Sequence, residues 1–160
     1  MNKLNVVERK IWIDFHSFAY NDDFVLARNL IESNPRWSII AGYYAMHDIT
    51  KLYLGKVHNI KISGLNVHKQ TIEALKFVLK DNMKISEIIG LIVSAEEKLK
   101  DLTPDDIPYL LKSGKSERGK VQYYSKYVFS NNQEYVKKAR EFYEEIVNVY
   151  IKILEEILKS

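Results

Sequence analysis

The sequence has no cysteine and few residues that interrupt regular structure. The absence of cysteine excludes disulfide bonds, thiolate metal ligands and thiol nucleophiles. Only 3 prolines and 6 glycines occur in 160 residues. Because these two residue types most often end helices and strands, their scarcity predicts long regular segments.

Long apolar runs are also missing. The best candidate, residues 85–95, is interrupted by Ser86, Glu87 and Ser94, whereas a helix that spans a membrane needs roughly 18 or more apolar residues. Residues 1–14 alternate charged and apolar side chains, unlike the apolar core of a secretory signal. We therefore expect a soluble, cytoplasmic protein with no membrane partner.

The residues that are present have the composition of a folded domain. Hydrophobic residues make up 46% and charged residues 28% of the chain, which is enough apolar material for a core. The 24 basic and 21 acidic residues give a net charge of +3, too balanced to indicate nucleic-acid binding by itself. Without repeats or linkers, residues 1–160 are predicted to form one domain.

The hydrophobic periodicity is helical, most clearly at the C-terminal end. There the apolar residues recur at steps of three or four, which traces one stripe along a helix. The stripe consists of Tyr135, Ala139, Phe142, Ile146, Val149, Ile153 and Ile157. This spacing predicts an amphipathic helix over residues 132–158.

Four earlier helices are predicted from periodicity and from capping residues. They cover residues 6–33 (with 21–23 as a place where the helix could be interrupted), 36–54, 67–79 and 86–99. Asn34-Pro35 is expected to end the first helix, Gly55 to stop the second, and Asn66 to cap the third. Residues 56–62 alternate only weakly and are expected to be an extended connection.

Residues 103–106 (Thr-Pro-Asp-Asp) have the composition of a further helix start, and residues 113–116 read as a break or loop after it. Together these segments predict an all-α fold, an up-and-down bundle of five to six helices.

Positive charge is concentrated between residues 112 and 126. Five basic residues against the single acid Glu117 give this stretch a charge of +4, and tyrosines 109, 123, 124 and 127 are interleaved with them. The basic residues are Lys112, Lys115, Arg118, Lys120 and Lys126. The pattern is typical of a surface that contacts phosphates and stacks on bases, and equally of a solvated face beside buried aromatic residues.

Several segments, in order, resemble HEPN domains. The closest likeness is the stretch 41–54, with its Tyr43-Tyr44-Ala45-Met46 core and the apolar stripe that follows. The others are the preceding helix (24–30), His68 at the start of the third helix, the Arg and aromatic residues of 118–124, and the late helix around 139–142. The likeness covers most of residues 20–158.

The resemblance implies a helical bundle that forms a homodimer. Many HEPN proteins are metal-independent ribonucleases of toxin–antitoxin or defence systems, often encoded beside a nucleotidyltransferase, and others bind nucleotides or partners without catalysis. Active members have an Arg, four to six residues, and then a His near the start of the late helix. Here Arg118 is followed by Tyr123, so tyrosine stands in the histidine's place.

The chemistry of metal-free RNA cleavage assigns roles to these two residues. Arg118 could hold the phosphate, because its guanidinium matches phosphate oxygens bidentately. Tyr123 could donate a hydrogen bond or a proton, although a phenol with an ordinary pKa near 10 is a poor base. In this hypothesis Arg118 and Tyr123 are catalytic, while Lys112, Lys115, Lys120, Tyr124 and Lys126 bind phosphate or RNA.

A second set of candidates lies in the 36–54 helix. His47 follows Tyr43 by four residues and Tyr44 by three, so the three side chains share a helix face. They could line a cleft, although such a histidine is often a hydrogen-bonded core residue. His16 follows Arg9 at the family's spacing but on the wrong helix, and we treat that spacing as coincidence.

No metal or cofactor is expected. The sequence has no Glu-x-x-His pair of the kind that binds metals in helical bundles and no Gly-x-Ser-x-Gly nucleophile elbow. Two hypotheses remain for function. The first is a HEPN-like protein that binds RNA or nucleotide phosphates, whether or not it is a divergent endoribonuclease. The second is a non-catalytic dimeric interaction module that partners a nucleotidyltransferase.

Overall fold

A computed structural model describes residues 2–102 and 132–160. These residues form helices almost throughout, which confirms the predicted all-α bundle. The elements are β1 (Asn2–Lys3), α1 (Val6–Asn29), α2 (Pro35–His58), β2 (Ile60–Lys61), α3 (Val67–Val78), α4 (Ile85–Leu102), α5 (Asn132–Glu141), a π-helical segment (Phe142–Val147) and α6 (Asn148–Lys159). The last three are continuous and form one C-terminal helix. No helix within the described ranges is both long and apolar enough to cross a membrane.

Helix α1 has no interruption, and it ends earlier than predicted. It begins with a capping box, in which Asn5 Oδ1 accepts from the Glu8 amide at 2.9 Å and the Asn5 amide donates to Glu8 at 3.2 Å. The interruption considered at residues 21–23 does not occur: the helix is continuous there, and the Asn21 side-chain amide donates to the Ser17 carbonyl at 2.9 Å. The helix ends at Asn29 rather than at residue 33.

Helix α2 shows why the prediction of Gly55 as its stop was wrong. The helix continues to His58 and ends at Asn59, whose φ of 58° is left-handed. Gly55 lies inside the helix, at a position where a Cβ would come within 2.5 Å of Trp12 Cδ1. The glycine therefore permits close packing of α1 on α2, which the sequence alone does not show.

The connection after α2 is only partly extended. Residues 56–58 belong to α2, and just two residues, Ile60 and Lys61, pair antiparallel with Lys3 and Asn2 of β1. Asn66 does precede α3, as predicted, but its side chain makes no capping hydrogen bond.

The C-terminal helix confirms the predicted span within a residue, but its buried face differs. After Phe142 the next fully buried residues are Val147, Tyr150, Ile151 and Leu154, rather than the predicted Ile146 and Val149, which are only partly buried. The π-helical turn adds a residue and so rotates the apolar stripe. Gly42 of α2 makes room for this turn, since a Cβ there would lie 2.8 Å from Val147.

Helix α2 is the centre of the bundle. It packs against α1, α3, α4 and the C-terminal helix, and most of its residues are buried. Helices α1 and α2 pack antiparallel. The Ser38 hydroxyl donates to the Ala27 carbonyl near one end of their contact, and the Trp12 indole donates to the Lys51 carbonyl near the other. Polar side chains on α2 are therefore held rigidly between neighbouring helices.

Candidate functional site

The polar residues of α2 that face α3 form a compact group with the first turn of α3. We call Tyr43, Tyr44, His47 and His68 the histidine cluster. The imidazole rings of His47 and His68 meet edge to face, with centroids 4.5 Å apart, and Tyr43 lies 4.6 Å from His47 and 5.4 Å from His68. Tyr44 lies 6.1 Å from His68.

Burial within the cluster is graded from the core to the surface. His47 is 1% exposed and Tyr43 is also buried, whereas His68 is half-buried and Tyr44 is 47% exposed. The cluster therefore begins in the core of the bundle and opens at Tyr44. A ligand arriving from solvent would meet Tyr44 and His68 first.

Three imidazole nitrogens of the cluster lack a hydrogen-bond partner within residues 2–102 and 132–160. They are Nδ1 and Nε2 of His47 and Nδ1 of His68, and all three are buried. Leaving a buried polar atom unsatisfied costs about 1–3 kcal/mol, and folded proteins rarely tolerate it. This unfavourable free energy is concentrated in the histidine cluster. A ligand whose polar atoms hydrogen-bond these nitrogens would remove it.

The two imidazoles are held neutral. Burial lowers the pKa of His47 to about 3, and the charges of His68 and Lys51 act in the same direction. Burial also lowers the pKa of His68, again with help from Lys51 and against the opposing charges of Glu96 and Asp48. At neutral pH each ring therefore offers one N–H donor and one nitrogen acceptor.

Lys51 supplies the positive charge beside the cluster. It follows His47 by one helical turn and is half-buried, and no carboxylate of the described residues lies within 4.0 Å of its ammonium group. Burial lowers the pKa of Lys51, while Asp48 works against that shift. A half-buried ammonium group that no carboxylate of the described residues contacts is suited to binding an anion.

Tyr43 is the least suited of the cluster to proton transfer. Burial, then the negative charge of Glu96 and the neighbouring Tyr44, raise the pKa of Tyr43 above its usual range. The phenol therefore stays protonated and serves as a wall that positions the imidazoles.

A second polar pair lies on the other side of Lys51, between α1 and α2. His16 Nδ1 and Asp48 Oδ1 are 2.7 Å apart, and His16 is only 5% exposed. The His16 ring also packs edge-on against Trp12, with centroids 4.3 Å apart. The His16–Asp48 pair is thus fixed in orientation. Asp48 was not predicted from the sequence, and His16 was considered there only for its spacing from Arg9, which we treat as coincidence.

The sequence found part of this arrangement. The common face of Tyr43, Tyr44 and His47 follows from their spacing, because all three belong to one helix. The position of Lys51 on this face could have been predicted in the same way, because it follows His47 by four residues on the same helix. Asp48, Glu96 and the approach of His68 could not be found, since they depend on how α1, α3 and α4 pack on α2.

The predicted catalytic and phosphate-binding residues lie outside the described residues. These are Lys112, Lys115, Arg118, Lys120, Tyr123, Tyr124 and Lys126. Their roles stay predictions. In the described parts of the chain, no group of three or more histidine or acidic side chains could hold a metal ion.

Comparison with known proteins gives no relative. No protein-family model matches the chain, and neither a search of curated proteins nor a search of solved structures finds a match. The likeness to HEPN domains therefore rests on the order of short motifs, and the function must be argued from the site itself.

Proposed function

We propose that this chain is a HEPN-like protein that binds the phosphate groups of RNA or of nucleotides at the histidine cluster and Lys51. The observation that carries the proposal is the set of three imidazole nitrogens with no hydrogen-bond partner among the described residues, near an ammonium group that has no described carboxylate within 4.0 Å. Phosphate oxygens accept hydrogen bonds from imidazole N–H groups and from an ammonium group. Bound phosphate would thus satisfy the N–H groups and offset the charge, while a hydroxyl of the phosphate or of a ribose would donate to the ring nitrogen that carries no proton.

The exposed edge of the cluster favours a ligand with an aromatic part. Tyr44 is about half exposed and lies at the mouth of the cluster next to His68. Bases stack on such side chains in proteins that bind single-stranded nucleic acid. In the same proposal Arg118 and the basic segment 112–126 extend the phosphate-binding surface, and Tyr123 replaces the histidine of the family's ribonuclease motif.

Binding is tested with a fluorescently labelled, mixed-sequence RNA and purified protein. Lys51→Gln and His68→Gln are expected to weaken binding at least tenfold. Lys76→Gln removes a similar charge from the surface, where Lys76 pairs with Glu73 at 3.2 Å, and should leave binding unchanged. Equal effects of Lys51→Gln and Lys76→Gln would show that only net charge matters and would refute the site.

Catalysis is a separate question with its own test. The RNA is incubated with wild-type protein and with Arg118→Ala in the presence of EDTA. Cleavage that is lost in the variant supports a metal-independent endoribonuclease. Binding without cleavage by the wild-type protein assigns the chain to the non-catalytic members.

A specific surface fits the homodimer that is expected under both hypotheses, including the second candidate, a dimeric interaction module that partners a nucleotidyltransferase. Helix α1 has an exposed apolar stripe on the face opposite the core, which we call the α1 stripe: Val7, Ile11, Phe18 and Val25. Their spacing of four, seven and seven residues places them on one side of the helix. A row of large apolar side chains exposed along one helix is typical of a protein–protein contact.

The charges beside the α1 stripe fit a second copy in the antiparallel direction. Lys10 and Asp22 lie six residues to either side of residue 16, and Val7 and Val25 lie nine residues to either side. Antiparallel pairing about residue 16 therefore brings Lys10 of each copy opposite Asp22 of the other. The same operation brings the two valines together.

Sedimentation of the protein at micromolar concentration tests this homodimer. Lys10→Asp should dissociate it, and the double variant Lys10→Asp/Asp22→Lys should restore it, because the exchanged charges attract again. Phe18→Asp should also dissociate the dimer, while Phe77→Asp, at an equally exposed aromatic residue of α3, should not. A wild-type monomer would refute the dimer and leave the phosphate site untouched.

A further inference from the structure

A groove adjoins Lys51 on the side away from the histidine cluster. It has a volume of about 420 Å³ and lies between the N-terminal half of α1, the second half of α2 and the residues around β2. Its walls are mainly apolar, formed by Leu4, Ile11, Trp12, Phe15 and Ile62. Polar side chains also line the groove, and they distinguish it from an ordinary apolar depression of the surface.

Two of these polar groups are held in place by the fold. Asp48 fixes the His16 ring through the 2.7 Å contact at Nδ1, so that the remaining nitrogen, Nε2, is left for another partner. The Trp12 indole donates to the Lys51 carbonyl at 3.0 Å, which ties the wall of the groove to the backbone of α2. Both His16 and Lys51 line the groove.

Lys51 connects the groove to the histidine cluster. It lines the groove, and its charge also acts on both imidazoles of the cluster. His47 and Lys51 are one turn apart on α2, about 6 Å along the helix axis. A phosphate held between these two side chains would therefore lie next to the groove that Lys51 also lines.

Phe15 gives the groove an accessible aromatic wall. The side chain is 61% exposed, although its ring packs against His16 with centroids 5.0 Å apart. A large aromatic side chain that lines a groove and remains open to solvent offers a face for stacking. The far end of the groove carries the ion pair of Lys61 with Glu8, which makes the opening polar.

We infer that the groove seats the nucleobase of a nucleotide whose phosphate binds at Lys51 and the histidine cluster, an inference that rests on the proposed function. The base stacks on Phe15, and His16 accepts a hydrogen bond from a base or sugar donor. The ligand class is a nucleoside monophosphate, either free or as one unit of an RNA strand.

Calorimetric titration with AMP and with ribose 5-phosphate separates the base from the phosphate. Wild-type protein should bind AMP at least tenfold more tightly than ribose 5-phosphate. Phe15→Ala should lower the affinity for AMP about tenfold, the size of effect known for base stacking, and leave the affinity for ribose 5-phosphate unchanged. The retained binding of ribose 5-phosphate also shows that the variant is folded.

Phe77→Ala is the matched control. Phe77 lies on α3, is 62% exposed against 61% for Phe15, and does not line the groove. This variant should bind both ligands as the wild type does. Equal losses of AMP affinity in Phe15→Ala and Phe77→Ala would overturn the inference.

The remaining outcomes distinguish failure of the nucleobase seat from failure of the proposed phosphate site. Equal affinity of the wild type for AMP and ribose 5-phosphate overturns the nucleobase seat alone, since the phosphate site still binds. No binding of either ligand, or of a short oligoribonucleotide, overturns the proposed function and this inference with it. A Phe15 effect on the oligoribonucleotide larger than on AMP identifies RNA as the source of the base, and the reverse identifies the free nucleotide.

Discussion

The buried, unpartnered imidazole of His47 makes the stability of this protein depend on pH in a way that one substitution should remove. His47→Leu replaces the ring with an apolar side chain of similar volume. In the wild type the pKa of His47 lies at about 3 in the folded state, against about 6.5 in the unfolded chain. The folded state therefore cannot take up the proton that the unfolded state binds.

The sign and size follow from linkage. Wild-type stability is complete above pH 6.5 and is lost as the pH falls from 6.5 towards 3, because only the unfolded state gains the proton. At pH 5.0 the loss due to His47 is on the order of 2 kcal/mol, and at pH 7.5 it is close to zero. His47→Leu should therefore gain about 2 kcal/mol relative to wild type between these two pH values.

Urea unfolding, followed by circular dichroism at pH 7.5 and pH 5.0, measures this difference. The other three histidines are present in both proteins, so the difference between the proteins reports the change at position 47, including its effect on the neighbouring His68. The variant should also be the more stable protein at pH 7.5, since it no longer buries two unpaired nitrogens. A stability difference that is the same at both pH values would refute the reasoning, because it would mean that His47 accepts a proton in the folded state.

Three other substitutions test packing and electrostatics. Gly55→Ala should lower the free energy of unfolding by about 1–3 kcal/mol in urea, because its Cβ would overlap Trp12; wild-type stability would show that α1 and α2 can move apart. Asp23→Asn should stabilise the protein at pH 7, since burial and then the charges of Asp48 and Asp22 raise the pKa of Asp23 to about 6. That gain should fade as the pH falls from 6 to 4, because the folded wild-type carboxyl takes up a proton in this range before the unfolded one does, and a gain that persists undiminished at pH 4 would contradict this cause. Tyr150→Phe should cost about 1 kcal/mol by removing the buried 2.6 Å hydrogen bond to Thr50; combined with Thr50→Val, the losses should be less than additive, and full additivity would argue against the bond.

The stability prediction and the binding prediction both depend on His47 of the histidine cluster. His47 carries unsatisfied nitrogens that an apolar residue would avoid, so a chain selected for stability alone would not need it. We expect His47→Leu to be more stable than wild type and to bind phosphate more weakly.

The sequence by itself determined the helical class and most of the helix positions. Apolar residues at steps of three and four specify which face of a segment is buried, whatever the segment then packs against. The common face of Tyr43, Tyr44 and His47 was predictable for the same reason, since it depends only on helix geometry. The likeness to HEPN domains and the roles of Arg118 and Tyr123 remain predictions.

The tertiary structure decided everything that depends on contact between helices. Gly55 continues α2 because Trp12 of α1 needs the space, and the π-helical turn after Phe142 rotates the buried face of the C-terminal helix where it meets Gly42. The meeting of His47 with His68, and of His16 with Asp48, joins residues 21 and 32 positions apart in sequence. Local periodicity carries no information about such pairs, because the free energy that selects them comes from burial between helices and not from the conformation of either helix alone.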